Sequence, residues 1–220
     1  YCYGEMKTYS AIIRQGMTVL DVGANIGLMG LLFSKLIGSA GQLHSFEPSV
    51  FAHGLLRHNL NLNDCSNVSI YRQAVTDKNE MTVFPDPDSA VIDSLNFGVL
   101  SLHSRFRKGA GRLVPTRATT IDSLDLAACD FIKVDVEGYE SAVVRGAKNT
   151  IKKFRPFLSI ETGNPEDDLS WLTILLNLEY RVFVSTFLIF SRSEEHTSEL
   201  QSHHELLCRL LLDINNKSAI

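Results

Sequence analysis

A short β-rich run, Met17-Thr-Val-Leu-Asp-Val22, stops at a glycine loop, Gly23-Ala-Asn-Ile-Gly27, and an apolar-rich helical pattern runs from Leu28 to Ile37. Gly38 closes that helix. A second β-rich run, Gln42-Leu-His-Ser-Phe-Glu47, follows, and Pro48 ends it because proline has no N–H for a ladder bond. Strand, helix and strand in this order form a parallel pair joined by a crossover helix. The rest of the chain continues the alternation. A helix is expected from Phe51 to Leu62, a third strand from Val68 to Val75, and a fourth over Phe131-Ile-Lys-Val-Asp-Val136. A helix from about Tyr139 to Ile151, a fifth strand at Phe157–Glu161, a helix near Asp167–Leu178 and a sixth strand at Tyr180–Val184 complete it. Regular alternation of this kind predicts an α/β fold with a doubly wound, mostly parallel sheet and flanking helices.

Composition agrees. The chain has 220 residues, 45% hydrophobic and 21% charged, which suits one full-sized globular domain and excludes a disordered chain. No apolar run reaches the roughly 18 residues of a spanning helix. A net charge of −4 argues against a general nucleic-acid binder, which is normally basic. Cys2, Cys65, Cys129 and Cys208 lie far apart with no CxxC pair, so neither a disulfide framework nor a structural zinc site is expected. A reducing compartment, the cytoplasm, is the default. The chain opens at Tyr1 rather than Met, and it reads as a fragment.

Between the third and fourth strands lies a long stretch, from Pro85 to Thr120, rich in Asp, Ser, Gly and Arg. Its β-like pieces are Met81–Phe84 and Leu113–Arg117, the pattern of an inserted hairpin or a functional loop. At the other end, Arg192-Ser-Glu-Glu-His-Thr-Ser-Glu-Leu-Gln-Ser-His203 resembles the translation of a common sequencing adapter, and the resemblance extends less closely to residue 212. The domain is therefore expected to span residues 1–191, with 192–220 a non-native tail. Leu206, Leu207, Leu210 and Leu211 would fit an amphipathic helix in that tail. His196, His203, His204 and Glu205 are accordingly not read as a metal site, and no metal is expected elsewhere.

The glycine loop carries the first chemistry. In Asp21-x-Gly23-x-Asn25-x-Gly27 the glycines let the backbone turn tightly and approach a ligand, and the next helix offers unpaired N–H groups. Glu47, 26 residues after Asp21 at the end of the second strand, is placed to accept the hydroxyls of a ribose. An adenosine-bearing ligand follows. Asp21 would repel a pyrophosphate but suits a cation, which favours S-adenosylmethionine over a dinucleotide. The alternative is a tight strand–helix turn with an incidental acid. A second constellation is Asp130-Phe-Ile-Lys-Val-Asp-Val-Glu-Gly-Tyr-Glu140. Lys133, Asp135 and Glu137 alternate with apolar residues and so share one face of the fourth strand. Ionisable groups at the carboxyl end of a central parallel strand point to the ligand crevice. A Lys133–Asp135 ion pair with Glu137 capping the next helix is the structural alternative.

VLDVGANIG (19–27), SFEP (45–48), RHNLNLN (57–63), QAVTD (73–77), TTIDSL (119–124), IKVDVEGYE (132–140) and LSIE (158–161) together resemble the FkbM family of S-adenosylmethionine-dependent methyltransferases. The resemblance covers about residues 17–184. It implies a class I, Rossmann-like methyltransferase fold and methylation, most often at oxygen, of a small-molecule or saccharide hydroxyl. By position it implies that Asp21, Gly23, Asn25 and Gly27 contact the methionine part, that Glu47 takes the ribose, and that Gln73 and Ala74 lie near the adenine. Asp135 and Glu137 match the family's acidic motif. One departure is expected: only Thr186-Phe-Leu-Ile-Phe190 remains for the fold's antiparallel seventh strand, which should be shortened or missing.

Transfer to a hydroxyl needs alignment and a base. Asp135, Glu137 and Glu161 are the candidates, the first two ranked above the third, with His103 a fourth. Arg105, Arg107, Lys108 and Arg112 form a basic run that is either a solvated face or a hold on an anionic substrate. Two other functions stay open: a cofactor-binding module without turnover, and a nicotinamide oxidoreductase.

Overall fold

The computed structural model describes residues 3–86, 112–162, 169–188 and 206–213. Helix α1 (Tyr3–Ile12) precedes β1 (Thr18–Val22), α2 (Leu28–Ile37), β2 (Gln42–Phe46), α3 (Val50–Leu62) and β3 (Val68–Tyr71). Then come β4 (Gln73–Val75), β5 (Glu80–Asp86), β6 (Arg112–Thr119) and a 3-10 turn at Ile121–Leu124. The second half holds β7 (Phe131–Val134), α4 (Glu140–Gly146), α5 (Lys148–Phe154), β8 (Phe157–Thr162), α6 (Ser170–Asn177), β9 (Arg181–Leu188) and β10 (Leu206–Asp213).

Seven strands form the main sheet in the order β3-β2-β1-β7-β8-β10-β9. The five from β3 to β8 are parallel, while β10 runs antiparallel to both β8 and β9. The chain leaves β1 in one direction and later returns beside it as β7, so the order reverses between these two strands. That reversal opens a crevice at their carboxyl ends. β4, β6 and β5 make a separate small sheet, with β5 and β6 the expected antiparallel hairpin.

Alternation along each strand sends successive side chains to opposite faces. Val19, Leu43 and Phe131 pack with Tyr9, Ile12 and Ile13 of the N-terminal segment and with Met29, Phe33 and Ile37 of α2. Leu20, Ile132, Val134, Leu158 and Ile160 face the other way, onto Val143, Val144, Ile151, Trp171 and Leu175 from α4, α5 and α6. The result is three layers, helix–sheet–helix, the doubly wound architecture expected.

Four local expectations change. The third strand divides at Arg72, because β2 ends ahead of Pro48 and the last bond it offers there is Glu47 N–H to Tyr71 O at 3.0 Å. Beyond that point Gln73–Val75 pairs instead with Arg117–Thr119. The helix expected over 139–151 is two helices meeting at Ala147. Asp122 accepts bonds from Asn149 N (3.0 Å), Thr150 N (2.7 Å) and Thr150 Oγ1 (2.8 Å), so it caps α5 as an independent helix. The strand carrying Lys133 ends at Val134, and Glu137 lies beyond it at φ 50. Finally, the seventh strand is present: Leu206–Asp213 fills it, and Thr186–Leu188 belongs to β9. LLCRLLLD has no decisive period, so the open ladder edges of β8 and β9 decide its conformation.

Candidate active site

Asp21 is the fourth residue of β1 and is wholly buried. Just past it the chain turns through left-handed backbone at Gly23 (φ 82), Asn25 (φ 50) and Gly27 (φ 90). Gly23 and Ala24 both donate to the Phe46 carbonyl, at 3.1 and 2.9 Å, which folds the loop across the end of β2. A side chain at Gly23 would be driven into the Asp135 carbonyl oxygen, so glycine is required there for space as well as for its φ. From α3, Asn59 Nδ2 donates to Ile26 O at 2.8 Å and pins the loop from outside.

Glu47 is tied to the same loop. Its Oε2 accepts from Asn25 N and its Oε1 from Ser49 N, both at 2.9 Å. Each oxygen keeps a lone pair for a further donor, which is what a ribose diol would need. Burial pushes this carboxyl up to about 7 against the two backbone N–H groups, and Asp21 and Asp135 add to the rise. Ser49 in turn caps α3 by accepting from Ala52 N at 3.1 Å and donates to Asp86 Oδ1 at 2.6 Å. The inserted hairpin is thereby fastened beside the ribose acid.

Beneath the loop a polar row crosses the sheet. Ser45, Asp21, Lys133 and Ser159 are register partners on β2, β1, β7 and β8, and all four are buried. Lys133 Nζ lies 2.8 Å from Asp135 Oδ2 and 3.9 Å from Asp21 Oδ1. From α1, Tyr9 Oη donates to Glu5 Oε1 at 2.8 Å and sits 2.9 Å from Ser159 Oγ. Burial alone would lower the Lys133 ammonium, but Asp135 and Asp21 more than reverse it and hold it above its ordinary value. Burial pushes Asp21 up to about 6 despite Lys133, so the 3.9 Å attraction only partly offsets the lost water. Neither Asp21 oxygen, nor Ser45 Oγ, has a hydrogen-bond partner among the described residues. Glu161, at the end of β8, is pushed up to about 9 by burial, then by Asp135, with Lys133 opposing; a hydrogen bond with Asp135 and the nearby Glu137 charge raise it further.

Of the residues singled out from sequence, Asp21, Gly23, Asn25, Gly27, Glu47, Asp135 and Glu161 gather around the crevice between β1 and β7. Glu137 is exposed in the following loop, the side chain of Tyr139 makes no capping bond at the start of α4, and Glu140 Oε1 accepts there from Gly138 N at 3.0 Å. The Lys133–Asp135 ion pair is present. Ala74 is buried and Gln73 half-buried, both in β4, which lies against β2. Arg112 is exposed at the start of β6, while His103, Arg105, Arg107 and Lys108 lie outside the described residues, as do His196, His203, His204 and Glu205. Sequence reasoning missed Glu5, Tyr9, Ser159 and Asp86. The i, i+4 spacing of Glu5 and Tyr9 was the one available signal, and it is common on any helix.

The donor set suits S-adenosylmethionine. A buried carboxylate without a hydrogen-bond partner among the described residues lies below a glycine loop, a carboxylate with spare lone pairs ends β2, and the residue before α2 is a glycine with no side-chain cap. No described helix is long and apolar enough to cross a membrane.

Among solved structures, the chain is similar to a methyltransferase FkbM from Methylobacillus flagellatus, with 18% identity and a TM-score of 0.58. The match covers 94% of this chain and 50% of that one, so this chain spans about half its length. It is also similar to a precorrin-6y C5,15-methyltransferase from Geobacter metallireducens, at 12% identity, TM-score 0.60, and 96% and 86% coverage. A third likeness is to a SAM-dependent O-methyltransferase from Thermotoga maritima, at 11% identity, TM-score 0.56, and 100% and 68% coverage. At these identities the likeness shows the fold. No curated protein matches the sequence. The profile described as Methyltransferase FkbM domain matches residues 21–182, a span that runs from the buried acid of β1 into β9. With that match over most of its length, the chain belongs to the FkbM-domain family of methyltransferases.

Proposed function

We propose that this chain transfers the methyl group of S-adenosylmethionine to a hydroxyl oxygen of a small molecule or saccharide. The observation that carries this reading is the convergence of the Glu47-anchored glycine loop and the Asp135–Glu161 carboxyl pair on one crevice. Bound there, the cofactor would supply a methyl carbon activated by a sulfonium. Gly23 to Gly27 would lie along its methionine part, Glu47 would accept its ribose hydroxyls, and Gln73 with Ala74 would border the adenine. Asp21 supplies negative charge beneath the loop without presenting its oxygens to solvent. Asp135 and Glu161 would stand where the proton of an acceptor hydroxyl has to go, so Asp135 keeps its rank and Glu161 exchanges places with exposed Glu137. The functional domain in this reading is residues 1–191, and its place of action is the cytoplasm, in keeping with thiols at Cys65 and Cys129.

Thermal unfolding of the chain with S-adenosylhomocysteine or NAD tests the cofactor class. A ligand that binds only the folded state adds about 2.7 kcal/mol at a hundredfold excess over its dissociation constant. A transition raised by S-adenosylhomocysteine and unmoved by NAD supports the reading; the converse points to a nicotinamide enzyme and overturns it. Transfer of labelled methyl groups to hydroxylated acceptors, lost on replacing both Asp135 and Glu161, then separates turnover from binding alone.

A further inference from the structure

We propose that Asp86, on the inserted hairpin, is a positioning residue for the ribose acid: it holds Ser49, Ser49 holds Glu47, and the preference for an intact ribose depends on that link. The inference rests on the cofactor reading above and goes beyond it by adding a residue of the small sheet that sets one part of the specificity. Ser49 is the joint. Its backbone N–H donates to Glu47 Oε1 at 2.9 Å and its hydroxyl donates to Asp86 Oδ1 at 2.6 Å, while the hydroxyl oxygen accepts from Ala52 N at 3.1 Å. Asp86 Oδ1 also accepts from Phe51 N at 3.2 Å, so it grips the first turn of α3 at two places. Two carboxylates, one just past β2 of the main sheet and one at the end of β5 of the small sheet, meet on one serine.

Burial makes the link matter. Ser49 is 2% exposed and Glu47 7%. Without Asp86 the serine hydroxyl loses its fixed partner, and a buried donor is costly to leave unpaired, so Ser49 moves to find another acceptor. Pro48 is the one residue between Ser49 and Glu47, and its ring fixes φ, so that movement is passed on to the carboxyl rather than absorbed. Glu47 Oε2 remains on Asn25 N at 2.9 Å, and the displacement falls mainly on Oε1. Hydrogen bonds weaken with poor length and angle, so a ribose hydroxyl received by a displaced oxygen binds less tightly.

A helix cap alone would act differently. Further along α3, Asn59 Nδ2 donates to Ile26 O at 2.8 Å, and Leu56 fills the place where a side chain at Gly27 would go. Loosening the whole helix would therefore disturb the glycine loop and weaken every adenosine ligand alike, whereas the link through Ser49 reaches only the ribose acid. The charges that move the Glu47 carboxyl are Asp21 and Asp135, so Asp86 works through its bond to Ser49 and not through its own field. An amide oxygen can accept the same two bonds. Asp86→Asn should accordingly preserve what Asp86→Ala removes.

Isothermal titration of the full chain with S-adenosylhomocysteine and with its 2′-deoxy and 3′-deoxy forms reads the preference. In the unaltered chain, loss of a hydroxyl received by Glu47 should weaken binding by roughly 10- to 100-fold. Asp86→Ala should weaken S-adenosylhomocysteine by about tenfold and the deoxy form by much less, so that the ratio narrows; Asp86→Asn should keep the ratio. In a Ser49→Ala background Asp86→Ala should narrow it little further, since the two act through one link. If Asp86→Ala shows no cooperative melting transition, Ser49→Ala breaks the link from the other end and should narrow the ratio by itself. An unchanged ratio in the folded variant, an equal loss for all three ligands, or failure of Asp86→Asn to keep the ratio would overturn the inference. Equal binding of all three ligands by the unaltered chain overturns it too and leaves the cofactor class standing, whereas absence of binding by any of them overturns the cofactor reading and the inference together.

Discussion

Lys133→Met removes the ammonium at the centre of the buried row and keeps a side chain of similar length. Lys133 is 2% exposed, Asp21 0%, and the Asp135 side chain 21%. At an effective dielectric of about 20, unit charges separated as the Lys133 and Asp21 groups are attract by roughly 4 kcal/mol, and the closer Asp135 pair by somewhat more before screening. These are gross attractions. Removing one partner of a buried pair costs about 3–5 kcal/mol, because the other is left buried and uncompensated. That range is expected at about pH 8, where Asp21 is ionised. Near pH 5 Asp21 already carries a proton in the unaltered protein, and loss of the ammonium raises its pKa further, so the cost should be smaller there by about 1–2 kcal/mol, the share that belongs to Asp21. Urea unfolding followed by circular dichroism reads both values, with a midpoint shift of about 1–2 M at the higher pH if the slope is near 3 kcal/mol/M. An equal loss at both pH values would refute the electrostatic account and assign the loss to packing.

Four further outcomes follow from the same geometry. Asp21 and Glu47 both have folded-state pKa values raised above their ordinary ones, to about 6 and about 7, so the folded protein binds their protons more tightly than the unfolded chain. Their contribution is present at low pH and lost as pH rises through the folded values; these two acids alone should lower the stability of the free protein by about 3–4 kcal/mol between about pH 5 and about pH 8, Glu161, pushed up to about 9, adds to the fall, and a rise over that window would contradict the burial of these acids. Gly23→Ala should cost at least about 2 kcal/mol from its left-handed backbone and the overlap with the Asp135 carbonyl, read as a lower melting transition together with lost S-adenosylhomocysteine binding. Glu47→Gln should weaken S-adenosylhomocysteine by roughly 10- to 100-fold in a titration, because a neutral amide loses charge-assisted bonds and offers one acceptor where the loop and Ser49 use two. Asp122→Ala should lower stability by about 1–2 kcal/mol with little change in ligand affinity, since the cap it removes starts α5 on the far side of the sheet from α1.

Local signals in the chain were enough for the alternation of strands and helices, the parallel sheet, the glycine loop and its two acids. Gly27 and Gly38 bracket α2 where a helix start and stop are written, and Pro48 ends β2, because these effects depend on neighbours a few residues apart. Tertiary structure decided what depends on distant partners. Arg72 is where the third strand leaves one sheet for another, since only the folded molecule shows that β2 has run out of bonds to offer. Ala147 breaks a continuous helical pattern because Asp122, 27 residues before Asn149, arrives to cap the second half. The leucine-rich segment at 206–213 becomes a strand through the open edges of β8 and β9. The acid pair lies between the two cases: Asp135 and Glu161 can each be picked out of the sequence, but not the hydrogen bond between them. It exists because parallel register sets Val134 beside Ile160, and register is a property of the sheet rather than of either strand.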